Sequence, residues 1–319
     1  MPQSLEQQKK QFRTIYELLN DNPRIYIKDI SSALGINPHA TSKKLEKAFK
    51  KEYILPPQLR TRSYANMTEY MYFVHCDNVS EHYLTYVEDD NVVYHAVMGG
   101  FANLWIISKG KIQVPGNITC EGFRSDFHVA HAPDHSWERA ITIMKEMIRK
   151  FDPEDYQQKG IMKNRQHESI SWDTEFQTLY REFKYNVRRK LSPVMKRNLI
   201  SAEKIYKFFD VLPSTCTVFT RYFPETRSAY DPYLFMFRTD YEDFIVSLFS
   251  ELPTSSMFFT VADRLFVYVD VDRQYLRNVH EGTEISRLHI PLLIRDLLRR
   301  EIIEHEDHAI LEYHWGKNL

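Results

Sequence analysis

The sequence has little of what stabilises small secreted proteins or crosses membranes. It holds only 3 cysteines, Cys76, Cys120 and Cys216, which are far apart and odd in number, so a disulfide framework is not expected. Its longest apolar runs are only a few residues, and the opening MPQSLEQQKK lacks the apolar core of a signal peptide. The sequence therefore predicts a cytoplasmic protein with no membrane partner.

Glycine and catalytic motifs are also scarce. Only 9 glycines occur in 319 residues, while aromatics reach 14%, a composition that excludes a low-complexity or disordered chain. No P-loop, HExxH, paired CxxC or GxSxG motif is present. We therefore expect a packed globular protein that uses no cofactor and is not an enzyme.

The net charge of −1 hides an asymmetry along the chain. Residues 1–62 contain 12 basic and 6 acidic side chains, whereas residues 63–319 contain 30 basic and 37 acidic ones. A local positive field favours nucleic acid, because basic groups neutralise phosphates and release their counterions. A soluble basic domain without such a partner is the plainer alternative.

A basic helix is predicted within residues 37–51, because Asn37 is a good N-cap and Pro38 suits the first helical position. Thr41, Leu45 and Ala48 recur at the spacing of a core-facing stripe, and the other faces carry lysines. Two apolar stripes precede it, and the second is shorter and closed by the glycine at 35. This order of helices is that of a helix-turn-helix, whose last helix enters the major groove of DNA.

Residues 12–54 resemble the winged helix-turn-helix of the Lrp/AsnC transcriptional regulators. The matching pieces are NPRIYIKDISSALGI and NPHATSKKLEKAFKKEYI, with Lys44 where the family usually has arginine. Ala48 and Glu52 depart from the family pattern, which generally has leucine and glycine there. The resemblance and the helix order together imply a regulator that binds double-stranded DNA. The candidate contacts are Asn37, His39, Thr41 and Ser42 to base edges, Lys43, Lys44, Lys47 and Lys51 near the groove or phosphates, and Arg60 and Arg62 on a wing.

After residue 62 the pattern becomes β-α-β-β, the opening of a ferredoxin-like unit, with a glycine hairpin at residues 98–101. The segment AVMGGFANLWIIS resembles the sensing and dimerising domain of the same family. Gly100 and Asn103 match its pattern, which implies an amino-acid-like effector near them. Asn103 is equally suited to stabilising a turn. Residues 112–122 receive no assignment.

The chain then repeats itself. FQTLYREF from Phe176 echoes FRTIYELL from Phe12, and the helix, strand and β-α-β-β patterns follow in the same order. We predict an α+β fold with two tandem copies of a winged helix-turn-helix followed by a ferredoxin-like βαββ-type domain. The predicted units are 1–62, 63–151, a linker at 152–172, a degenerate winged helix at 173–228, and 229–319.

The repeat also predicts how the protein assembles. We expect the two sheets, residues 70–108 and 233–272, to pair within one chain, since linkage raises their effective concentration. The recognition helix of the second copy lacks a dense lysine face, so one chain offers one helix-turn-helix that is suited to binding DNA. We therefore expect a homo-oligomer, joined through the amphipathic helices at 136–151 or 292–303.

Two other functions stay open at this stage. One is a scaffold that keeps a degenerate winged helix without binding DNA. The other is a metal enzyme built on the histidine-rich segments, which are His128, His131, Asp134 and His135, together with 304–308 and His314. On a strand, however, His128 and His131 point to opposite faces, which disfavours a shared metal.

Overall fold

The computed structural model describes residues 4–273 and 289–316. It begins with a unit that we call the first head, made of α1 (Leu5–Asp21), α2 (Ile27–Leu34), α3 (Pro38–Lys50) and β1 (Gln58–Thr61). Ser4 caps α1, and the side chain of Asn37 caps α3 by accepting the Ala40 N–H at 2.9 Å. Phe12, Ile15, Tyr16 and Leu19 are fully buried between the helices. The predicted helix-turn-helix therefore forms.

The second head repeats this order with α6 (Thr174–Phe183), α7 (Leu191–Asn198), α8 (Ala202–Thr215) and β7 (Cys216–Phe219). Its core is rich in phenylalanine, because Phe183 of α6 and Phe208 of α8 are fully buried against each other. The aromatic residues that replace a lysine face in the sequence thus serve packing.

Each head is followed by a sheet unit. The first contains β2 (Tyr70–His75), α4 (Val79–Glu88), β3 (Val92–Gly100), β4 (Leu104–Ser108), β5 (Asn117–Phe123), β6 (His128–Val129) and α5 (Trp137–Lys150). The second contains β8 (Tyr230–Arg238), α9 (Glu242–Phe249), β9 (Met257–Val261), β10 (Arg264–Asp272), α10 (His289–Arg299) and β11 (His305–Gly316). The strands lie in the orders β5-β2-β4-β3 and β11-β8-β10-β9. Both are the ferredoxin-like order, so the predicted α+β fold with two tandem copies is confirmed.

The two sheets join into one curled sheet of nine strands within the described residues. Strand β3 pairs with β11, and β6 pairs with β9, both antiparallel. The inner faces pack together in one apolar cluster that includes Phe73 and Trp105 from the first sheet and Phe259 and Phe266 from the second. The prediction that the two sheets pair inside one chain is confirmed, but the joining strands β6 and β11 lie outside the predicted ranges 70–108 and 233–272.

The two heads are also joined to each other. Strand β1 pairs with β7 over four residues, from Gln58 opposite Phe219 to Thr61 opposite Cys216. In addition, Arg188 of the second head donates to the carbonyl oxygens of Pro23 and Ile25 in the first, at 3.0 and 2.9 Å. The strand expected to start a wing on the first head is therefore the partner of the other head.

The structure completes one unassigned stretch and corrects one prediction. Most of the unassigned stretch 112–122 belongs to β5 (Asn117–Phe123). The apolar faces of α5 and α10, expected to join two chains, are buried together on the second sheet. They cannot serve an interface between chains without unfolding this core.

Residues 152–172 contain no helix or strand, yet the segment is anchored to the fold. The Asp243 carboxylate accepts the backbone N–H groups of Gly160 and Ile161, both at 2.9 Å. The boundaries predicted for the five units stay predictions.

Helix length bears on the membrane prediction. The longest described helix, α1, has 17 residues. Within 4–273 and 289–316, no helix is sufficiently long and apolar to cross a membrane.

Candidate functional site

A cavity of about 390 Å³, which we call the central cavity, lies where both heads and both sheets meet. The first head contributes Gln58 and Arg60 of β1, and the second contributes Lys184 and Tyr185, which follow α6. The sheets contribute residues of β3, β4, β10 and β11. Every unit of the repeat is therefore needed to build this cavity.

The cavity lining is strongly basic. Its basic side chains are Arg60, Lys184, Arg221, Arg227 and His314. Arg221 forms an ion pair with Asp270, and Arg227 Nη1 lies 3.8 Å from a carboxylate oxygen of Glu52. Within the described residues, neither Arg60 nor Lys184 forms an ion pair with a carboxylate. Two cations thus face the cavity without a direct ion-pair partner.

Lys184 is the most unusual of these groups, because its residue is only 7% exposed. Its Nζ lies 5.4 Å from the centre of the Tyr185 ring, and Arg60 Cζ lies 5.5 Å from the same centre. Burial, and after it the charge of Arg60, lowers the pKa of Lys184 to about 8. Near neutral pH this lysine is therefore present both as an ammonium ion and as a free amine.

The acidic residue in the lining, Glu69, is already neutralised. Its Oε2 accepts a hydrogen bond from Arg124 Nε at 2.6 Å, and Arg124 also donates to the carbonyl oxygen of Thr61 at 2.8 Å. Burial alone raises the pKa of Glu69, but the charges of Arg124 and then Lys184 hold it below its usual value. Glu69 is therefore an anion shared mainly with Arg124.

Aromatic rings form the apolar walls of the cavity. Tyr94 of β3 and Trp105 of β4 meet edge to face with 5.1 Å between ring centroids, and Tyr268 of β10 lines the same space. Burial raises the pKa of both Tyr94 and Tyr268, so these phenols are neutral. The buried Nε1 of Trp105 has no hydrogen-bond partner among the described residues. A buried indole N–H usually has one, so the wall retains an unused donor.

His314 of β11 adds an imidazole to the cavity. It lies opposite Ala96 of β3, and its ring centroid is 6.1 Å from that of Tyr94. Burial, followed by the charges of Arg227 and Arg221, lowers the pKa of His314. The ring is therefore neutral at pH 7, with one nitrogen that donates and one that accepts a hydrogen bond.

A second crevice, of about 320 Å³, lies beside Asp126. The Asp126 carboxylate accepts hydrogen bonds from the Ser63 N–H at 2.7 Å, Arg165 Nε at 2.9 Å and Arg62 Nη1 at 3.1 Å. Burial alone raises the pKa of Asp126, but these hydrogen bonds outweigh it and hold the pKa low. The two arginines share this one carboxylate, which ties the linker to the end of the first head.

The start of α3 is only partly available for base contacts. His39 and Ser42 are exposed, but the side-chain oxygen of Asn37 is used in the cap. Thr41 is fully buried, and its Oγ1 donates to the carbonyl oxygen of Asn37 at 3.0 Å. The expectation of a base contact from Thr41 is therefore corrected.

The lysines of α3 face solvent. Lys43 and the neighbouring Lys51 are exposed and have no ion-pair partner in the described ranges, while Lys47 Nζ donates to the neutral amide of Gln8 at 2.7 Å. Lys44 is half-buried, and burial, followed by the charge of Lys47, lowers its pKa. This face therefore keeps most of its positive charge.

The predicted wing contacts of Arg60 and Arg62 are corrected. Arg60 lines the central cavity, and Arg62 is bound to Asp126 and donates to the carbonyl oxygen of Pro213 at 3.1 Å. Because β1 pairs with β7, both side chains are directed to protein partners. Neither is placed to contact a DNA backbone.

The predicted effector residues also have structural roles. A Cβ on Gly100 would lie 2.2 Å from the carbonyl oxygen of His308, so this glycine permits the close approach of β3 and β11. The Asn103 side chain accepts the Cys76 N–H at 3.0 Å and donates to the Cys76 carbonyl oxygen at 2.8 Å. An effector site at Gly100 and Asn103 is therefore not supported by this geometry.

The histidine-rich segments do not converge. In the described part of the chain, no three His, Cys, Asp or Glu side chains are grouped as metal ligands. His131 instead pairs with Glu17, and His305 lies 2.8 Å from Asp307 on the same strand.

Sequence reasoning missed the central cavity. Its basic side chains come from four separate places in the chain, which are β1, the residues just after α6, the segment that follows β7, and β11 itself. No local sequence motif therefore marks them. The one available signal was basic residues within otherwise apolar or aromatic stretches, as in REFKYNVRRK around Lys184 and FTRYF around Arg221.

Comparison with known proteins gives matches among solved structures, at low identity. Neither the protein-family models nor the curated proteins give a match to this chain. Two solved structures match, one of the siroheme decarboxylase NirDL and one of NirDL in complex with an iron-uroporphyrin III analogue. Both are 13% identical and cover 96% of this chain and 92% of theirs, with TM-scores of 0.49 and 0.48.

The expectation that this chain is not an enzyme is corrected by these matches. Both matched structures are of a decarboxylase. The chemistry of this chain has to be argued from its own residues.

Proposed function

We propose that this protein is an enzyme that binds a small organic acid with a flat, unsaturated body in the central cavity. The observation that carries this proposal is the pair Arg60 and Lys184, which face the cavity without a direct ion-pair partner among the described residues. A buried charge without a partner is costly, and a bound carboxylate offsets that cost. The aromatic walls suit a flat apolar body, since stacked and edge-on ring contacts add to apolar burial.

The same lining supports catalysis in addition to binding. Lys184, with a pKa of about 8, is able to exchange protons near neutral pH, and the neutral imidazole of His314 offers one hydrogen-bond donor and one acceptor. Groups with shifted pKa values that share a cavity are typical of active sites. The proposed reaction class is therefore proton transfer to or from a bound acid.

Titration calorimetry with benzoate, phthalate, 2-oxobutyrate and a polycarboxylated tetrapyrrole tests binding. Lys184→Met and Arg60→Met should each weaken binding about 10-fold or more, since a hydrogen bond to a charged group contributes about 1.5–3 kcal/mol. Lys190→Met, at an exposed lysine of the same head, is the matched control and should bind like wild type. Equal affinity of all four proteins would refute the site. Recovery of every bound acid unchanged after incubation would refute the enzymatic part.

A second candidate function, DNA binding by α3, is supported by a contrast between the two heads. Lys43 and Lys51 have no ion-pair partner in the described ranges. In α8, by contrast, Lys204 pairs with Asp173 and lies 3.2 Å from Glu175, and Lys207 lies 2.8 Å from Glu203. We propose that His39, Ser42, Lys43, Lys44, Lys47 and Lys51 contact DNA, with Asn37 holding the helix start, and that two chains associate to read paired half-sites.

Gel shifts over a range of salt concentrations test this second function. Lys43→Ala with Lys47→Ala should reduce the salt slope by about one unit per lost phosphate contact. Lys204→Ala with Lys207→Ala is the matched control, because it removes the same charge from the other head. If both double variants bind alike, the assignment to α3 is wrong.

A further inference from the structure

Lys184 is the only amine among the described residues that line the central cavity. Its surroundings are those of a reactive amine, because its residue is buried and its Nζ lies beside the rings of Tyr180 and Tyr185. A lysine desolvated in this way, next to another cation, is the usual setting of a nucleophilic lysine.

We propose that Lys184 forms a Schiff base with a carbonyl compound that also carries a carboxylate, such as a 2-oxo acid. This inference rests on the proposed function, since it places the acid of that ligand in the central cavity. Arg60 is the group that holds the carboxylate, because both Arg60 and Lys184 lie beside the ring of Tyr185. A guanidinium binds a carboxylate through two parallel N–H donors, which fixes the carbonyl carbon near the amine.

The step balances without any further reactant. The neutral amine attacks the carbonyl carbon, a C–N bond forms, and the π electrons of the carbonyl move to its oxygen. The two hydrogens of the amine end on that oxygen, which leaves as water, and a C=N bond remains. Once its nitrogen takes up a proton from solvent, the resulting iminium ion is a stronger electron sink than the parent carbonyl. It therefore assists loss of a proton from the carbon next to the C=N bond.

The charges around Lys184 keep part of it in the reactive form. Burial is the largest cause of the lowered pKa of Lys184, and the charge of Arg60 on β1 is the second. The charge of Glu69 raises this pKa, and the charge of Arg124 lowers it further. Tyr180 and Tyr185, on its own segment, are neutral because burial raises the pKa of each phenol. At a pKa of about 8 the free-amine fraction near pH 7.5 exceeds that of an ordinary lysine on the order of 100-fold.

Reductive trapping on the full wild-type chain tests the proposal, so no variant has to fold. The protein is treated with pyruvate and cyanoborohydride between pH 6 and 10, and carboxyethyl-lysine is located by peptide mass spectrometry. We expect Lys184 to be labelled on the order of 100-fold faster than exposed lysines such as Lys51 near pH 7.5, with a midpoint near pH 8. Labelling spread over the exposed lysines and rising towards pH 10 overturns the proposal.

A second measurement separates this proposal from the function it rests on. Pyruvate binding is followed by calorimetry without the reductant, for wild type and Lys184→Arg. Binding to wild type without an adduct at Lys184 overturns the Schiff base and leaves the acid site standing. Absence of both binding and adduct overturns both. Arg60→Gln should slow trapping of pyruvate at least 10-fold, because it removes the carboxylate partner and raises the pKa of Lys184. An unchanged rate contradicts the role given to Arg60.

Discussion

Phe73 of β2 and Phe266 of β10 lie face to face, with 4.5 Å between their ring centroids and 11° between their planes. One belongs to the first sheet and the other to the second, so this stack joins the two copies of the repeat. Phe266 also stacks on Phe259 at 5.1 Å, and Trp105 stacks on Phe259 at 5.9 Å. The aromatic layer therefore runs from the sheet interface to the wall of the central cavity.

Truncating this stack should weaken the pairing of the two sheets. Phe73→Ala and Phe266→Ala are each expected to lower the free energy of unfolding by about 3–5 kcal/mol, because both residues are fully buried. The double variant should lose less than the sum, since the rings contact each other and the second truncation enlarges an existing cavity. Urea unfolding of all four proteins measures this coupling. Strictly additive losses would contradict the direct contact.

Much of the fold could be predicted because local rules govern it. The cap at Asn37, the breaker at Gly35 and the period of Phe12, Ile15 and Leu19 act within one or two helical turns, and the internal repeat extended the prediction to the second head. The pairing of β1 with β7 could not be predicted in this way. It joins residues about 160 positions apart, and nothing in the β1 sequence distinguishes a free wing strand from a paired one.

The central cavity was less predictable than the fold for the same reason. Arg60 was assigned to a DNA-facing wing because its neighbours in sequence are basic, whereas its position is set by β7 and by Tyr185 of the second head. Lys184 follows a helix and carries no motif of its own. A site assembled from both copies becomes visible only when long-range pairing is known.

Gly100 should tolerate no side chain. Its φ of +150° is rarely adopted by other residues, and an added Cβ would lie 2.6 Å from Ala309 Cα as well as against a carbonyl oxygen. Gly100→Ala is therefore expected to cost about 3 kcal/mol or more, because β3 and β11 must separate. Gly110→Ala is the control, since nothing lies within 4 Å of its added Cβ, and it should change stability by less than about 0.5 kcal/mol. Thermal unfolding of both variants checks the difference.

Asp126 should make stability depend on pH in the acid range. Its pKa in the folded protein is held below the unfolded value of about 3.9, so its contribution is complete above that value and is lost as the pH falls through the folded pKa. Asp126→Asn should cost about 3 kcal/mol at pH 7, because it breaks a buried charge network. The difference in unfolding free energy between this variant and wild type should narrow below about pH 4. Asp90→Asn, at an exposed aspartate, should show neither the loss at pH 7 nor the change with pH. A gap that stays constant down to pH 2 would contradict this account.

Leu199 should be replaceable with a gain in stability. It ends α7 in the left-handed conformation, with φ of 55°, and is 90% exposed, whereas Gly35 ends α2 at the equivalent place with φ of 62°. A left-handed conformation costs a residue with a side chain about 1–2 kcal/mol, and glycine removes this cost. Glycine also has greater freedom in the unfolded state, which offsets about 0.5–1 kcal/mol of the gain. Leu199→Gly should therefore stabilise the protein by about 0.5–1 kcal/mol, since no buried apolar area is lost.

The reciprocal variant completes this test. Gly35→Leu places a side chain where nothing lies within 4 Å of the added Cβ, so its expected cost of about 1 kcal/mol comes from the backbone conformation alone. Urea unfolding at two protein concentrations measures both variants. A loss of stability in Leu199→Gly that grows with protein concentration would mean that Leu199 is buried against a second chain. In that case the strained leucine is retained because association stabilises it, and the exposed surface of the second head is an interface.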